Sequence, residues 1–197
     1  MQHRKLGRSG LDVSVVGLGC NNFGSRADLE ASRATVHKAL DLGITLFDTA
    51  DMYSGRGGSE IALGKILGAR RKEIVLASKF GMAMDDAGHL KGASRRYIMS
   101  AVEASLQRLQ TDWLDLYQLH RPDAETPMDE TLRALDDLVR DAGDDAAQDR
   151  AAPAVDGDLA GGVERGHHGR RMQQHRSLTG AGDERLVEVQ HVELFIA

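Results

Sequence analysis

The feature that most constrains the fold is a repeated unit, in which an apolar segment of strand length is followed by a stretch with helical periodicity. Candidate strands lie at 44–47, 74–78 and 113–119, and a helical pattern follows each of them. A spacing of about 30 to 40 residues is typical of βαβ units, whose strands are parallel and whose crossovers are right-handed. The repeat therefore predicts an α/β fold, either a doubly wound sheet or an eight-stranded barrel.

Local sequence signals complete the predicted order of elements. Residues 4–13 are typical of a β-hairpin, residues 13–18 of a first strand, and residues 59–67 of a short helix. The predicted N-caps of three further helices are Asp28, Ser94 and Thr126. The chain is thus predicted to contain a hairpin followed by about four βα units.

An ionisable residue follows each of the three candidate strands. These residues are Asp48, Lys79 and His120, and Tyr53 lies five residues beyond Asp48. Sites in parallel α/β folds are built at the carboxyl ends of the strands, so the four side chains are candidates for one site. Asp48 and Lys79 alternatively form a structural ion pair. Tyr53 is alternatively an ordinary rim aromatic, and His120 a histidine satisfied by the chain after its strand.

Composition and charge exclude several function classes. The formal net charge is -5 and the pI is about 5.9, which argues against nucleic-acid binding. The single cysteine, Cys20, excludes an internal disulfide and fits a reducing compartment. The amino terminus lacks the apolar segment of a signal peptide, and no apolar run is long enough to span a membrane. We therefore expect a soluble cytoplasmic protein without a metal site.

The glycines at the end of the first strand do not form a dinucleotide-binding fingerprint. Gly17 and Gly19 have the spacing of its first two glycines, but Asn22 stands where the third glycine is required. The simpler interpretation is a glycine loop that closes a strand.

Several motifs together resemble the aldo-keto reductases. The motifs occupy residues 47–53 with 58–60, 77–80 and 116–123, supported by 4–7 with 16–19 and by 132–139. The resemblance implies a (β/α)8 TIM barrel with a hairpin below it and NADPH extended across its top. It implies catalytic roles for Asp48, Tyr53, Lys79 and His120. It also makes Gly19, Cys20, Asn21 and Asp48 candidates for contact with the nicotinamide end of the cofactor.

The implied reaction is the reduction of an aldehyde or ketone to an alcohol. Hydride delivery to the carbonyl carbon leaves negative charge on the oxygen, so a proton donor must lie within hydrogen-bond reach of that oxygen. Tyr53 would be this donor, because a neighbouring cation such as Lys79 favours a phenolate. Asp48 would hold Lys79 in place, and His120 would orient the carbonyl.

The resemblance extends over residues 1–140 and then stops. We expect 1–140 to be the N-terminal half of the barrel and 141–197 to be an unassigned, poorly ordered tail, from a truncated or frame-shifted gene. A full barrel of this type typically needs about 250 residues. A catalytically incompetent half-barrel that does not bind cofactor productively is therefore the alternative to a reductase. A regulatory or binding subunit is a third possibility that no feature favours, and the sequence indicates neither the carbonyl substrate nor the oligomeric state.

Overall fold

The computed structural model of this chain describes residues 1–151 and 171–172. Its elements in chain order are β1 His3–Lys5, β2 Asp12–Ser14, β3 Gly17–Gly19, α1 Leu29–Asp41, β4 Leu46–Asp48, α2 Tyr53–Leu67, a 3-10 helix Gly68–Glu73, β5 Val75–Phe80, α3 Arg95–Leu109, β6 Trp113–Leu114, β7 Leu116–Leu119, α4 Met128–Ala151 and β8 Arg171–Met172.

The central element is a parallel sheet with the strand order β3-β4-β5-β7. Helices α1, α2 and α3 connect successive strands, as the repeat in the sequence predicts. The register aligns Gly19 with Asp48 and Asp48 with Ala77. Lys79, two residues beyond Ala77 on β5 and therefore on the same face, is aligned with Gln118. Because aligned residues in a sheet share a face, Asp48 and Lys79 lie on the same side of it.

The two faces of the sheet differ in burial. Phe47, Leu76 and Phe80 are fully buried in a core that also contains Leu63 of α2 and Ile98 of α3. Among the alternate positions on the strands, Leu46, Val75 and Leu116 are only half-buried, while Ala77 and Lys79 are buried. Since successive strand residues point to opposite faces, the helices cover one face, while the other carries the site residues.

Two predicted strands are divided in the structure. Residues 13–18 split because the Ser14 hydroxyl accepts the Thr45 N–H at 2.9 Å and donates to the Val16 carbonyl at 2.7 Å. The chain therefore leaves the hairpin before β3 begins. Residues 113–119 split at Asp115, whose carboxylate accepts the Leu76 N–H at 2.9 Å. In both places the prediction of one continuous strand was wrong. The N–H of the neighbouring segment donates to a side-chain oxygen, where a continuous strand would offer a backbone carbonyl.

Two of the three predicted N-caps are confirmed. Asp28 accepts the Ala31 N–H at 2.8 Å, and Ser94 accepts the Tyr97 N–H at 3.4 Å. The prediction for Thr126 was wrong, since its hydroxyl donates to Asp123 at 2.7 Å and α4 begins two residues later.

The first turn of α2 is left-handed. The φ angles of Ser54, Gly55, Arg56 and Gly57 are 56°, 76°, 67° and 113°, and the right-handed helix predicted at 59–67 follows them. Two of the four are not glycine, and such residues adopt this conformation at a cost. The Ser54 hydroxyl, which donates to the Asn21 carbonyl at 3.1 Å, helps to hold it.

The described part of the chain includes residues 141–151 and 171–172 of the predicted tail. Helix α4 runs from Met128 to Ala151 and includes residue 140, and the boundary at that residue stays a prediction. Strand β8 pairs in parallel with β6. The remainder of the predicted tail, residues 152–170 and 173–197, lies outside the described residues. Over the described part of the chain, none of the helices combines the length and apolar character needed to cross a membrane.

Helices α2 and α3 approach closely at Gly64, which predicts a specific loss of stability. A Cβ atom at this position would lie 2.8 Å from the Leu109 carbonyl carbon and 3.0 Å from its oxygen. Alanine normally stabilises a helix by about 1 kcal/mol over glycine. Here we expect Gly64→Ala to lower the free energy of unfolding by about 1 to 3 kcal/mol, because backbone atoms cannot yield to the new methyl group. Urea unfolding measures this change.

The control is Lys65→Ala on the exposed face of the same helix, which should change the free energy of unfolding by no more than about 0.5 kcal/mol. A stabilised Gly64→Ala variant would contradict the close contact between the two helices.

Candidate active site

The structure brings together the four side chains that the sequence places at strand ends. Asp48 is the last residue of β4, Lys79 lies near the end of β5, and His120 directly follows β7. Tyr53 is the first residue of α2, shortly after β4. These strands are parallel neighbours, so their carboxyl ends meet at one edge of the sheet.

Lys79 is the centre of this arrangement and is only 2% exposed. Its ammonium donates to both Asp48 carboxylate oxygens at 2.7 Å and to the Thr49 carbonyl at 2.9 Å. It also lies 3.4 Å from the Tyr53 hydroxyl oxygen. Burial raises the pKa of Asp48, and the Lys79 ammonium opposes this effect. A buried cation thus holds the carboxylate and the phenol at fixed positions.

Tyr53 and His120 form the more accessible layer of the site. Both residues are half-buried, and their rings meet edge to face with centroids 5.5 Å apart and planes at 88°. The His120 backbone N–H donates to the Phe80 carbonyl at 2.8 Å, which holds the backbone of His120 next to the end of β5. A carbonyl compound can therefore approach the phenol and the imidazole while Lys79 stays behind them.

The candidate cofactor contacts differ in accessibility. Gly19 is exposed beside Asp48 in the register, and a Cβ there would meet nothing within 4 Å. Asn21 is also exposed. Cys20 is fully buried, with its thiol 3.4 Å from the Leu18 carbonyl, and burial and the Asp48 carboxylate raise its pKa. The Cys20 thiol is therefore not exposed at the site, a point that the motif comparison alone does not reveal.

A second polar layer lies behind the site, and the sequence reasoning did not assign it a role. Glu60 is fully buried and accepts hydrogen bonds from the Ser78 hydroxyl at 2.5 Å and from Arg108 Nε at 2.6 Å. A carboxylate on the buried face of a predicted helix was the available signal.

Asp51 belongs to the same buried layer. Both of its carboxylate oxygens are buried without a hydrogen-bond partner. Burial and the nearby Glu60 carboxylate raise the pKa of Asp51 from 3.8 to about 7, while Arg108 and the Tyr97 hydroxyl oppose the change. Asp51 therefore holds its proton in the folded chain at pH values where an exposed aspartate is ionised.

This carboxyl group predicts a dependence of stability on pH. Below about pH 4 Asp51 is protonated in both states, but between about pH 4 and 7 only the unfolded chain releases the proton, so stability falls as the pH rises. The difference between 3.8 and about 7 corresponds to ~4 kcal/mol. In urea unfolding, the parent chain should lose up to this amount relative to Asp51→Asn between pH 4 and 8.

The matched control is Glu125→Gln at an exposed position, which should follow the parent chain at every pH. A parent chain and an Asp51→Asn variant with parallel pH profiles would contradict a retained proton on Asp51.

The sequence of this chain is similar to those of known proteins. Residues 15–144 match the sequence model of the Aldo/keto reductase family. The chain is 43% identical over 143 residues to "Uncharacterized oxidoreductase YqkF" of Bacillus subtilis, an alignment that covers 72% of this chain and 46% of that protein. It is 39% identical over 146 residues to "L-glyceraldehyde 3-phosphate reductase" of Escherichia coli (strain K12), with 71% of this chain and 42% of that protein covered.

A solved structure supports the same relationship. "Aldo-keto reductase AKR11C1 from Bacillus halodurans (holo form)" superposes with a TM-score of 0.64 at 42% identity, over 71% of this chain and 47% of that chain. The likeness confirms the predicted TIM-barrel type of fold. The chain spans less than half of the length of the curated relatives named above. Since the family match covers residues 15–144, well over half of the sequence, this chain belongs to the aldo/keto reductase family.

Proposed function

We propose that this chain supplies the catalytic end of an oxidoreductase that uses NADPH to reduce an aldehyde or ketone to an alcohol. The observation that carries the proposal is the Lys79 ammonium, which contacts Asp48 and Tyr53 while Tyr53 packs against His120. A cation behind a phenol, with an imidazole beside it, suits proton donation to a developing alkoxide.

Each side chain has one task in this proposal. Tyr53 donates its hydroxyl proton to the carbonyl oxygen, and Lys79 stabilises the resulting phenolate. Asp48 keeps Lys79 charged and in place, and His120 hydrogen-bonds the carbonyl oxygen to orient it. When bound, NADPH supplies the hydride that forms the new C–H bond, and it is oxidised to NADP⁺. The carbonyl carbon thus takes up one hydride and the carbonyl oxygen takes up one proton, which gives the alcohol.

The residues at the rim fit the nicotinamide end of such a cofactor. Gly19 is exposed, lacks a side chain and lies beside Asp48, so a flat ring can approach the backbone there. Asn21 offers an exposed amide side chain next to it. The family relationship and the holo form of the similar structure support a nicotinamide cofactor. NADPH as the specific form, a small carbonyl substrate and a cytoplasmic location belong to this proposal.

The alternative proposal is a catalytically incompetent half-barrel, of which residues 1–140 form the N-terminal half. It is favoured by the sheet of the described residues, which contains four parallel strands with β3 and β7 at its edges. An eight-stranded barrel buries the inner face of such a sheet, and here Leu46, Val75 and Leu116 are half-exposed on that face. In this case the catalytic side chains are present, but the cofactor is not held productively.

Substitution of Tyr53 separates the two proposals. With a panel of small aldehydes and ketones, the parent chain should oxidise NADPH, and Tyr53→Phe should lower kcat by about 100-fold or more, because the proton donor is lost. Cofactor binding, followed by the fluorescence of NADPH itself, should be unchanged in this variant.

The control variant is Tyr117→Phe, which removes a buried hydroxyl that has no hydrogen-bond partner and lies outside the site. Its kcat should match that of the parent chain. Absence of saturable NADPH binding by the parent chain would favour the incompetent half-barrel and contradict the reductase.

A further inference from the structure

Two adjacent residues of α2, Ser59 and Glu60, connect this helix to the ends of three strands. The Ser59 hydroxyl donates to the Cys20 carbonyl at 2.7 Å and lies 2.8 Å from the Thr49 hydroxyl. Glu60 accepts from Ser78 at 2.5 Å. Cys20 follows β3, Thr49 follows β4, and Ser78 precedes Lys79 within β5. One turn of helix thus sets the relative positions of the strands that carry the site.

The Glu60 side chain forms an ion pair in the protein interior, where an unpaired charge is costly. It is 0% exposed, and its compensating cation, Arg108, contacts it through Nε at 2.6 Å. Arg108 also donates to the Ser105 hydroxyl at 3.2 Å and packs against Gly57, where a Cβ would lie 2.5 Å from Arg108 Cδ. A buried ion pair contributes little net stability compared with apolar residues, so stability alone does not account for it.

Another buried ion pair, which also contacts β5, provides a comparison. Arg71 and Asp115 have side chains that are 7% and 8% exposed, with a separation of 2.8 Å. Asp115 accepts the N–H of Leu76, near the beginning of β5. Both pairs therefore anchor β5, but only the Glu60 contact lies next to Lys79, at the end of the strand that carries the site.

The Ser78 contact acts on Lys79 through the backbone. Neighbouring strand residues point to opposite faces, so a hydrogen bond that fixes Ser78 on the helix side also fixes the direction of Lys79 on the site side. The Lys79 carbonyl in turn accepts the Asp51 N–H at 3.1 Å, which links it to the segment before Tyr53. Rotation of this part of β5 would move the ammonium away from Asp48 and Tyr53.

We propose that Glu60 is a positioning residue, which, paired with Arg108, anchors Ser78 and so aims the Lys79 ammonium at Asp48 and Tyr53. The contribution of Glu60 to catalysis rests on the proposed function above. The anchoring of Ser78 by Glu60 does not depend on that function. The buried Glu60–Arg108 ion pair thus serves to maintain the geometry of the site.

The test follows the Lys79 ammonium directly by NMR in the full chain labelled with ¹⁵N-lysine, with its signal assigned by its absence in Lys79→Arg. Ammonium protons held by several acceptors exchange slowly with water. In Glu60→Gln and in Ser78→Ala we expect this exchange to become about three- to tenfold faster, the effect of losing about one net hydrogen bond. The double variant should show no further acceleration, because Glu60→Gln loses the Arg108 ion pair that holds the acceptor in place, and Ser78→Ala removes the donor to that acceptor.

The control is Asp115→Asn, which disrupts the other buried ion pair of β5. It should lower the free energy of unfolding at least as much as Glu60→Gln while leaving the exchange of the Lys79 ammonium unchanged. Equal exchange rates in the parent chain, Glu60→Gln and Ser78→Ala would overturn the proposal. If Glu60→Gln does not fold, Ser78→Ala, which removes only a hydroxyl, decides the outcome.

Activity provides an independent measurement. If the parent chain reduces carbonyl compounds, Glu60→Gln and Ser78→Ala should lower kcat about three- to tenfold with little change in KM. Asp115→Asn should change neither constant. A parent chain without turnover would contradict the proposed function alone, since ammonium exchange is measured without cofactor or substrate.

Discussion

The structure of the site depends on the burial of one ammonium group. A buried charge is tolerated only when its hydrogen-bonding capacity is satisfied, because its desolvation costs several kcal/mol. Lys79 meets this condition by donating to the Asp48 carboxylate and the Thr49 carbonyl. Its ammonium nitrogen also lies 3.4 Å from the Tyr53 hydroxyl oxygen. The neighbouring groups therefore have little freedom. Their positions follow from the need to surround the cation.

This requirement explains why the polar groups form two layers. Tyr53 and His120 are half-buried and accessible, whereas Glu60 and Asp51 lie beneath the site with Arg108. The deeper layer contains two acidic groups and one guanidinium, and burial and the Glu60 carboxylate raise the pKa of Asp51, which favours its neutral form where a second cation is lacking. The accessible layer is thus supported by a polar interior rather than by an apolar core alone.

Prediction from the sequence succeeded where the cause is local. Asp28 and Ser94 cap helices because each accepts an N–H only three residues away. It failed at Ser14 and Asp115, whose hydrogen-bond partners Thr45 and Leu76 are 31 and 39 residues distant. A side chain that replaces a strand partner leaves no local pattern in the sequence.

The sequence by itself determined that Asp48, Lys79 and His120 end parallel strands and so lie at one edge, because alternating strands and helices allow no other direction. Motif resemblance added the family, which the comparisons confirmed. Only the tertiary structure decided that the Cys20 thiol is buried, that residues 54–57 turn left-handed, and that Glu60 contacts Ser78 and Arg108. These features depend on packing between segments that are distant in the chain, which neither periodicity nor local signals encode.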